Sequence, residues 1–209
     1  MSTITQTVQS QANITPADAI QLLKEGNKRF VEKKQIERDL LQQVNETAGG
    51  QYPFAAVVSC IDSRIPTEVV FDQGIGDIFN VRVAGNIVNE DILGSLEFAC
   101  KLAGAKAIVV LGHTSCGAVK GACDDAKLGN LTQMLGKIKP AVELTPTAEG
   151  EARNSGNIEF VNKVADKNVE LTIENIKSQS TVLNEMFDTG EISIVGAMYD
   201  VKTGKITFS

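Results

Sequence analysis

The sequence predicts an α/β protein: a mainly parallel central β-sheet flanked by helices, preceded by an N-terminal helical arm and closed by a C-terminal strand or hairpin. Three observations predict it. Short apolar runs, Phe54-Ala-Ala-Val-Val-Ser59, Ile78-Phe-Asn-Val-Arg-Val83, Ala107-Ile-Val-Val-Leu111 and Ile192-Ser-Ile-Val-Gly-Ala197, read as strands of a parallel sheet covered on both faces. Segments with helical spacing of apolar residues alternate with these runs, which is the βαβα order of that class. Two of the runs end directly in residues that carry chemistry, Cys60-Ile-Asp62-Ser-Arg64 and Gly112-His113-Thr-Ser-Cys116-Gly117. Open α/β sheets collect their sites just beyond the carboxyl ends of such strands.

Taken in order, residues 1–13 are polar and unpatterned and read as a loose tail or an arm that docks elsewhere. Thr15-Pro16 is an N-cap with proline at the first helical position. Ile20, Leu23, Phe30 and Val31 then form one apolar stripe, which covers either the chain's own core or a partner subunit. A second helical piece with Leu40, Leu41 and Val44 ends at Gly49-Gly50. Residues 1–50 are thus read as a helical arm and 51–209 as a single α/β domain. A short helix is expected over 66–71. Gly74 and Gly76 precede a strand instead of linking a strand to a helix, so they are turn glycines and not a nucleotide loop. Helices are expected over 91–102, stopped by Gly104, over 118–126 and over 131–142, with an exposed loop at 144–156. Ile158, Val161, Ala165, Val169, Ile173 and Ile176 mark a long amphipathic helix, followed by a shorter one that Gly190 closes. Lys205-Ile-Thr-Phe208 is expected to pair back on 192–197 as a hairpin.

A chain of 209 residues that is 43% hydrophobic can bury one full core. Its net charge of −6 argues against nucleic acid or an anionic membrane surface as a partner. No run has the length of a membrane span, and the first residues lack the basic and apolar regions of a signal peptide. The expectation is a cytoplasmic protein, whose four cysteines are ligands or core thiols and not a disulfide framework.

Thiolate and imidazole suit a borderline-soft ion, zinc being the commonest. Cys60 lies 53 residues before His113, and two strand mouths in one sheet would bring them together. The i, i+3 spacing of His113 and Cys116 lets both reach one ion at a helix start, whose N-terminus favours the Cys116 thiolate. The plain alternative is two unrelated thiols and a core histidine, since no paired CxxC is present. Three ligands leave a fourth position for water, the pattern of catalytic zinc. Cys100 and Cys123 fall on helices away from strand mouths and read as core or surface residues. Asp62 can bind the ion or accept a hydrogen bond from its water, and Arg64 can hold Asp62 ionised through a bidentate pair. The alternative there is a surface ion pair in a turn. A water-activating zinc enzyme and a non-catalytic zinc module both fit these residues. A cysteine-nucleophile enzyme fits less well, because 60–64 is too short for a phosphate-cradling loop.

Cys60-Ile-Asp62-Ser63-Arg64 followed by His113-Thr-Ser-Cys116-Gly117 resembles the β-class carbonic anhydrases. The likeness runs over nearly the whole chain, through Gly26-Asn-Lys-Arg-Phe30, Arg82-Val-Ala-Gly-Asn86 and Val195-Gly-Ala-Met-Tyr-Asp200. It implies one zinc per chain on Cys60, His113 and Cys116, with Asp62 and Arg64 as the catalytic dyad. The implied reaction is reversible hydration of CO2 to bicarbonate and a proton by hydroxide generated at the zinc. A hydrophobic CO2 pocket would come from Phe79, Ala84 and Phe98, with the Gln51 side-chain amide and the Gly117 backbone N–H as donors. Phe98 stands where relatives carry tyrosine. The resemblance also implies a homodimer or homotetramer with N-terminal helices wrapping the neighbour. Hydrolysis of CS2 or COS on the same scaffold is the enzyme alternative. Some relatives close the fourth zinc position with the aspartate and carry tryptophan three residues before the first cysteine. Val57 at that position, and Gln51 nine residues before Cys60, resemble the open kind, so Asp62 is expected to pair with Arg64.

Overall fold

In the computed structural model, which describes residues 5–209, five strands lie in one sheet in the order β2-β1-β3-β4-β5. β1 (Ala55–Ser59) and β3 (Ala107–His113) occupy its centre and are buried at every position, as uninterrupted apolar runs require when helices cover both faces. β1 pairs in parallel with β2 (Ile78–Arg82) on one side and β3 on the other, and β3 pairs in parallel with β4 (Ser193–Tyr199). β5 (Ile206–Phe208) runs antiparallel to β4, completing the expected hairpin. Ser59, Arg82 and Leu111 lie level in the register, so the residues just beyond them gather at one end of the sheet.

Of the two readings of the first residues, the described part follows the docking arm, and it contains a helix. α1 (Val8–Asn13) is closed by a capping box between Thr7 and Ser10, and the Gln11 amide donates to the carbonyls of Pro53 and Ala103. Six residues are too few for periodicity to reveal, and the anchoring contact is non-local. α2 (Pro16–Val31) begins at the Thr15 cap as expected. Three of its four stripe residues face the chain's own core: Leu23 is fully buried in one cluster with Phe54, Val57 and Phe71, Ile20 and Phe30 pack against that cluster, and Val31 stays exposed. Gly26 lets α2 touch the backbone following α4 (Thr67–Val70), where a Cβ would stand 1.8 Å from the Phe71 carbonyl oxygen. The neighbouring Asn27 donates to the carbonyls of Val70 and Gly204 and accepts from the Ile206 N–H. Arg29 and Arg38 both close on the buried Asp72. α3 (Leu40–Thr47) behaves differently, leaving Leu40, Leu41 and Val44 exposed.

On the opposite face, α5 (Glu90–Glu97) runs on through a π-helical turn, Phe98–Leu102. α6 (Gly117–Cys123) follows β3 directly. The helix expected over 131–142 is two, α7 (Gly129–Gly136) and α8 (Lys139–Leu144). Pro140 has no N–H to continue α7 and sits in the first turn of α8, where none is needed. The long α9 (Ile158–Gln179) buries Val161, Val164, Ala165, Val169 and Ile176, and α10 (Thr181–Asp188) follows it. Among the described residues no helix is long and apolar enough to cross a membrane.

Candidate metal centre and active site

His113 is the last residue of β3, one step earlier than a turn position, and it is fully buried. Its Nδ1 lies 3.0 Å from the Thr114 carbonyl oxygen, which assigns the proton to Nδ1 and leaves a lone pair on Nε2. That Nε2 is buried and has no hydrogen-bond partner. Cys60 stands just past β1, and Cys116 is the residue preceding α6, so the fold carries both thiols to the same place. The two sulfurs and the imidazole nitrogen all lie within 4.8 Å of one another. Val119, Ile138, Phe160, Val161 and Val164 pack around the thiols as an apolar shell.

Two buried thiols this close share their ionisation. The hydrogen bond from Cys116 pulls Cys60 down to about 4, against its burial, with further help from the Gly85 N–H. Cys116 is driven up by the same hydrogen bond and then by burial. A bound cation would draw both sulfurs to the thiolate. Two sulfurs and one free imidazole nitrogen fit zinc as a donor set.

Asp62 lies beside this cluster, its Oδ2 3.9 Å from His113 Nε2. Arg64 holds it in a fork, Nε to Oδ1 at 2.9 Å and Nη2 to Oδ2 at 2.7 Å, and the Arg64 backbone N–H adds a third bond to Oδ1. This pairing, expected from Val57 and Gln51, keeps the Asp62 carboxyl well below the usual carboxylate range. Sequence reasoning assigned no role to Arg82, yet its guanidinium donates to the carbonyls of Cys60 and Asp62 and so braces the loop between them. The Gly85 N–H reaches Cys60 Sγ at 3.4 Å. The signal that held both was the Arg82-Val-Ala-Gly-Asn86 motif, visible as a likeness and silent about contacts.

The other expected site residues divide. Gly117 opens α6 next to Cys116, and Ala84 lies in the turn (Ala84–Asn86) beside Gly85, so both flank the cluster. Phe79 and Phe98 stack edge to face with centroids 6.3 Å apart. Within the chain they stand away from the thiols: Phe79 is level with Ala56, four residues before Cys60 and so about 13 Å back along the strand. Gln51 is exposed and precedes β1, at the opposite end from Cys60. Cys100 lies in the core under α5 and α10, its thiol pushed up to about 12 by burial. It and Cys123 are outside the cluster.

A family model described as "Carbonic anhydrase" matches residues 55–206. Carbonic anhydrase 2 of Mycobacterium tuberculosis is 36% identical over 196 residues, 92% of each chain. The carbonic anhydrase of Mycolicibacterium smegmatis is 32% identical over 200 residues, 93% of each chain. Among solved structures, the β-carbonic anhydrase CafA of Aspergillus fumigatus superposes with a TM-score of 0.72 at 25% identity, covering 92% of this chain and 89% of that one. A chain from work on two tetrameric β-carbonic anhydrases of Sordaria macrospora gives a TM-score of 0.69 at 27% identity, over 78% of this chain and 84% of that one.

Proposed function

The chain belongs to the β-class carbonic anhydrases, and on that premise we propose that Cys60, His113 and Cys116 hold one zinc ion per chain while Asp62 and Arg64 form the catalytic dyad. Its reaction is the reversible hydration of CO2 to bicarbonate and a proton. The observation that carries the ligand assignment is that His113 Nε2 is buried and unpartnered on an imidazole that has a ring nitrogen within 4.8 Å of both sulfurs. An imidazole whose other nitrogen is committed to a carbonyl has the tautomer of a metal ligand. Zinc bound there supplies Lewis acidity that brings the ionisation of a water to about pH 7.

The chain's own groups do the rest. Asp62 stands next to the ligand set and not within it, so its Oδ2 accepts a hydrogen bond from the reacting water and turns that oxygen's free lone pair toward CO2. Arg64 keeps Asp62 ionised and oriented for this. The Gly117 N–H is the donor to a substrate oxygen, and Ala84 is part of the apolar wall CO2 needs. Phe79, Phe98 and Gln51 act in an assembly. β2 is an edge strand, and edges with apolar flanks pair. One flank is a cavity of about 590 Å³ with Ile36, Leu40, Val69, Ile75 and Ile78; the other, of about 710 Å³, has Ala56, Phe79, Leu96 and Phe98. A homodimer, or a tetramer of two such dimers, joined there covers both flanks. The protein works in the cytoplasm, where reducing conditions keep the thiols free.

Stopped-flow CO2 hydration by the zinc-loaded protein, run beside CS2 hydrolysis, tests the reading. Hydration is expected. CS2 hydrolysis without hydration would move the chain to the sulfur analogue.

A further inference from the structure

Helix α9 reaches two turns beside the thiols, the Ala84–Asn86 turn against Cys60 and the turn that carries Cys116. Asn168, only 3% exposed, donates through Nδ2 to the Gly85 carbonyl at 2.8 Å. Asn162 accepts through Oδ1 from the Ser115 N–H at 2.9 Å. Each bond ends on the backbone of a turn beside a ligand: Gly85 donates its own N–H to Cys60 Sγ at 3.4 Å, and Ser115 lies between His113 and Cys116. Both turns hold left-handed conformations, with φ of +75° at Gly85, +44° at Asn86 and +56° at Ser115. Non-glycine residues enter that region only when their surroundings enforce it.

Gly85 has no Cβ to limit its φ. A Cβ there would stand 2.5 Å from Ile138 Cδ1, so Ile138 walls the turn on one side and the Asn168 amide pins it on the other. With the carbonyl pinned, the N–H of the same residue points at Cys60 Sγ; unpinned, it can swing away. We propose that Asn168 is a positioning residue of the metal centre, fixing the Gly85 N–H on Cys60 Sγ and so setting the orientation and donor strength of that thiolate. An N–H bond to an ionised sulfur is charge-assisted, and partners of this kind tune the metal through the ligand they hold. Asn162 holds the Cys116 turn in the same manner from one helical face further back.

The inference rests on the zinc assignment above, so zinc bound by the parent is measured first; a parent that binds none overturns both. With the parent loaded, Asn168→Ala is expected to lose zinc to a chromogenic chelator about 10–100-fold faster. With cobalt(II) in place of zinc, its thiolate-to-metal charge-transfer band should shift. Ile176→Ala is the control: it is fully buried in the cluster under α5 and α10, about two turns along the same helix. It should lower the melting temperature and leave release and spectrum at the parent's values. Parent-like release and spectrum in Asn168→Ala would overturn the proposal while leaving the zinc assignment standing. Equal changes in Ile176→Ala would also overturn it, because helix stability alone would then explain them. If Asn168→Ala does not fold, the cadmium-113-loaded parent decides by NMR. Coupling of the Gly85 amide proton to the metal through Cys60 Sγ, and of the Asn168 side-chain nitrogen to the Gly85 carbonyl carbon, is expected; absence of either overturns the proposal.

Discussion

Asp62 receives three bonds from Arg64, two from the guanidinium and one from the backbone, and none of them depends on a metal. On the proposed role, replacing the carboxylate by an amide keeps the shape and removes the acceptor for the reacting water. Asp62→Asn is therefore expected to retain zinc and lose about 10²–10⁴-fold in CO2 hydration, and a rate within about threefold of the parent would reduce Asp62 to a turn residue. The same pair sets a pH dependence. Arg64 holds the folded-state ionisation of Asp62 below the unfolded value of about 3.9. A depressed carboxylate stabilises the fold above the unfolded value and loses that contribution as pH falls through the acid range. Thermal melts of Arg64→Ala should lie slightly below the parent at neutral pH, by less than about 1 kcal/mol for so exposed a partner. The two should converge below about pH 4; a gap that widens in acid would contradict the pairing. At this scale the sequence was most informative. Cys60, His113, Cys116, Asp62 and Arg64 are read from residue type and position after a strand. The Thr114 carbonyl and the Gly85 N–H were not legible, because a backbone group has no residue identity to read.

Among the elements, α2 shows what a motif can hide. Gly26-Asn-Lys-Arg-Phe30 is legible as a family likeness, but its task is fastening: Gly26 lies against the Phe71 carbonyl, Arg29 on Asp72, and Asn27 stitches three backbone groups from two other elements. Asn27→Ala would leave two buried carbonyls and one N–H unsatisfied, for an expected loss of roughly 3 kcal/mol or more in urea unfolding. A loss under about 1 kcal/mol would show that water replaces the amide. Periodicity located α2, α3, α9 and α10 and the central strands, because long repeats of burial leave a pattern. It missed α1, which one buried glutamine anchors, and the break at Lys137-Ile138 between α7 and α8. Both depend on contacts or on a single proline and not on a repeat.

For the whole molecule, β2 is an edge strand whose flanks leave apolar side chains exposed, Phe98 at 51% and Leu40 at 53%. The strand reading over 78–83 already puts Phe79 at the start of its strand, away from the carboxyl ends where the thiols gather, but the spacing of one chain does not show what a neighbouring copy brings to that end. On the assembly reading, Phe98→Asp should lower the sedimenting mass and CO2 hydration together and leave zinc content unchanged. A fully active variant of parental mass would remove the aromatics from both roles. On the proposed assignment, three ligands hold one zinc and hydration depends on it. Zinc content after chelator dialysis, measured with stopped-flow hydration on the parent, Cys60→Ser, His113→Ala and Cys116→Ser, tests it most directly. One zinc per chain and active hydration are expected in the parent, and loss of both in every variant. Stoichiometric zinc retained by any of the three, or undiminished hydration by metal-free protein, would contradict it.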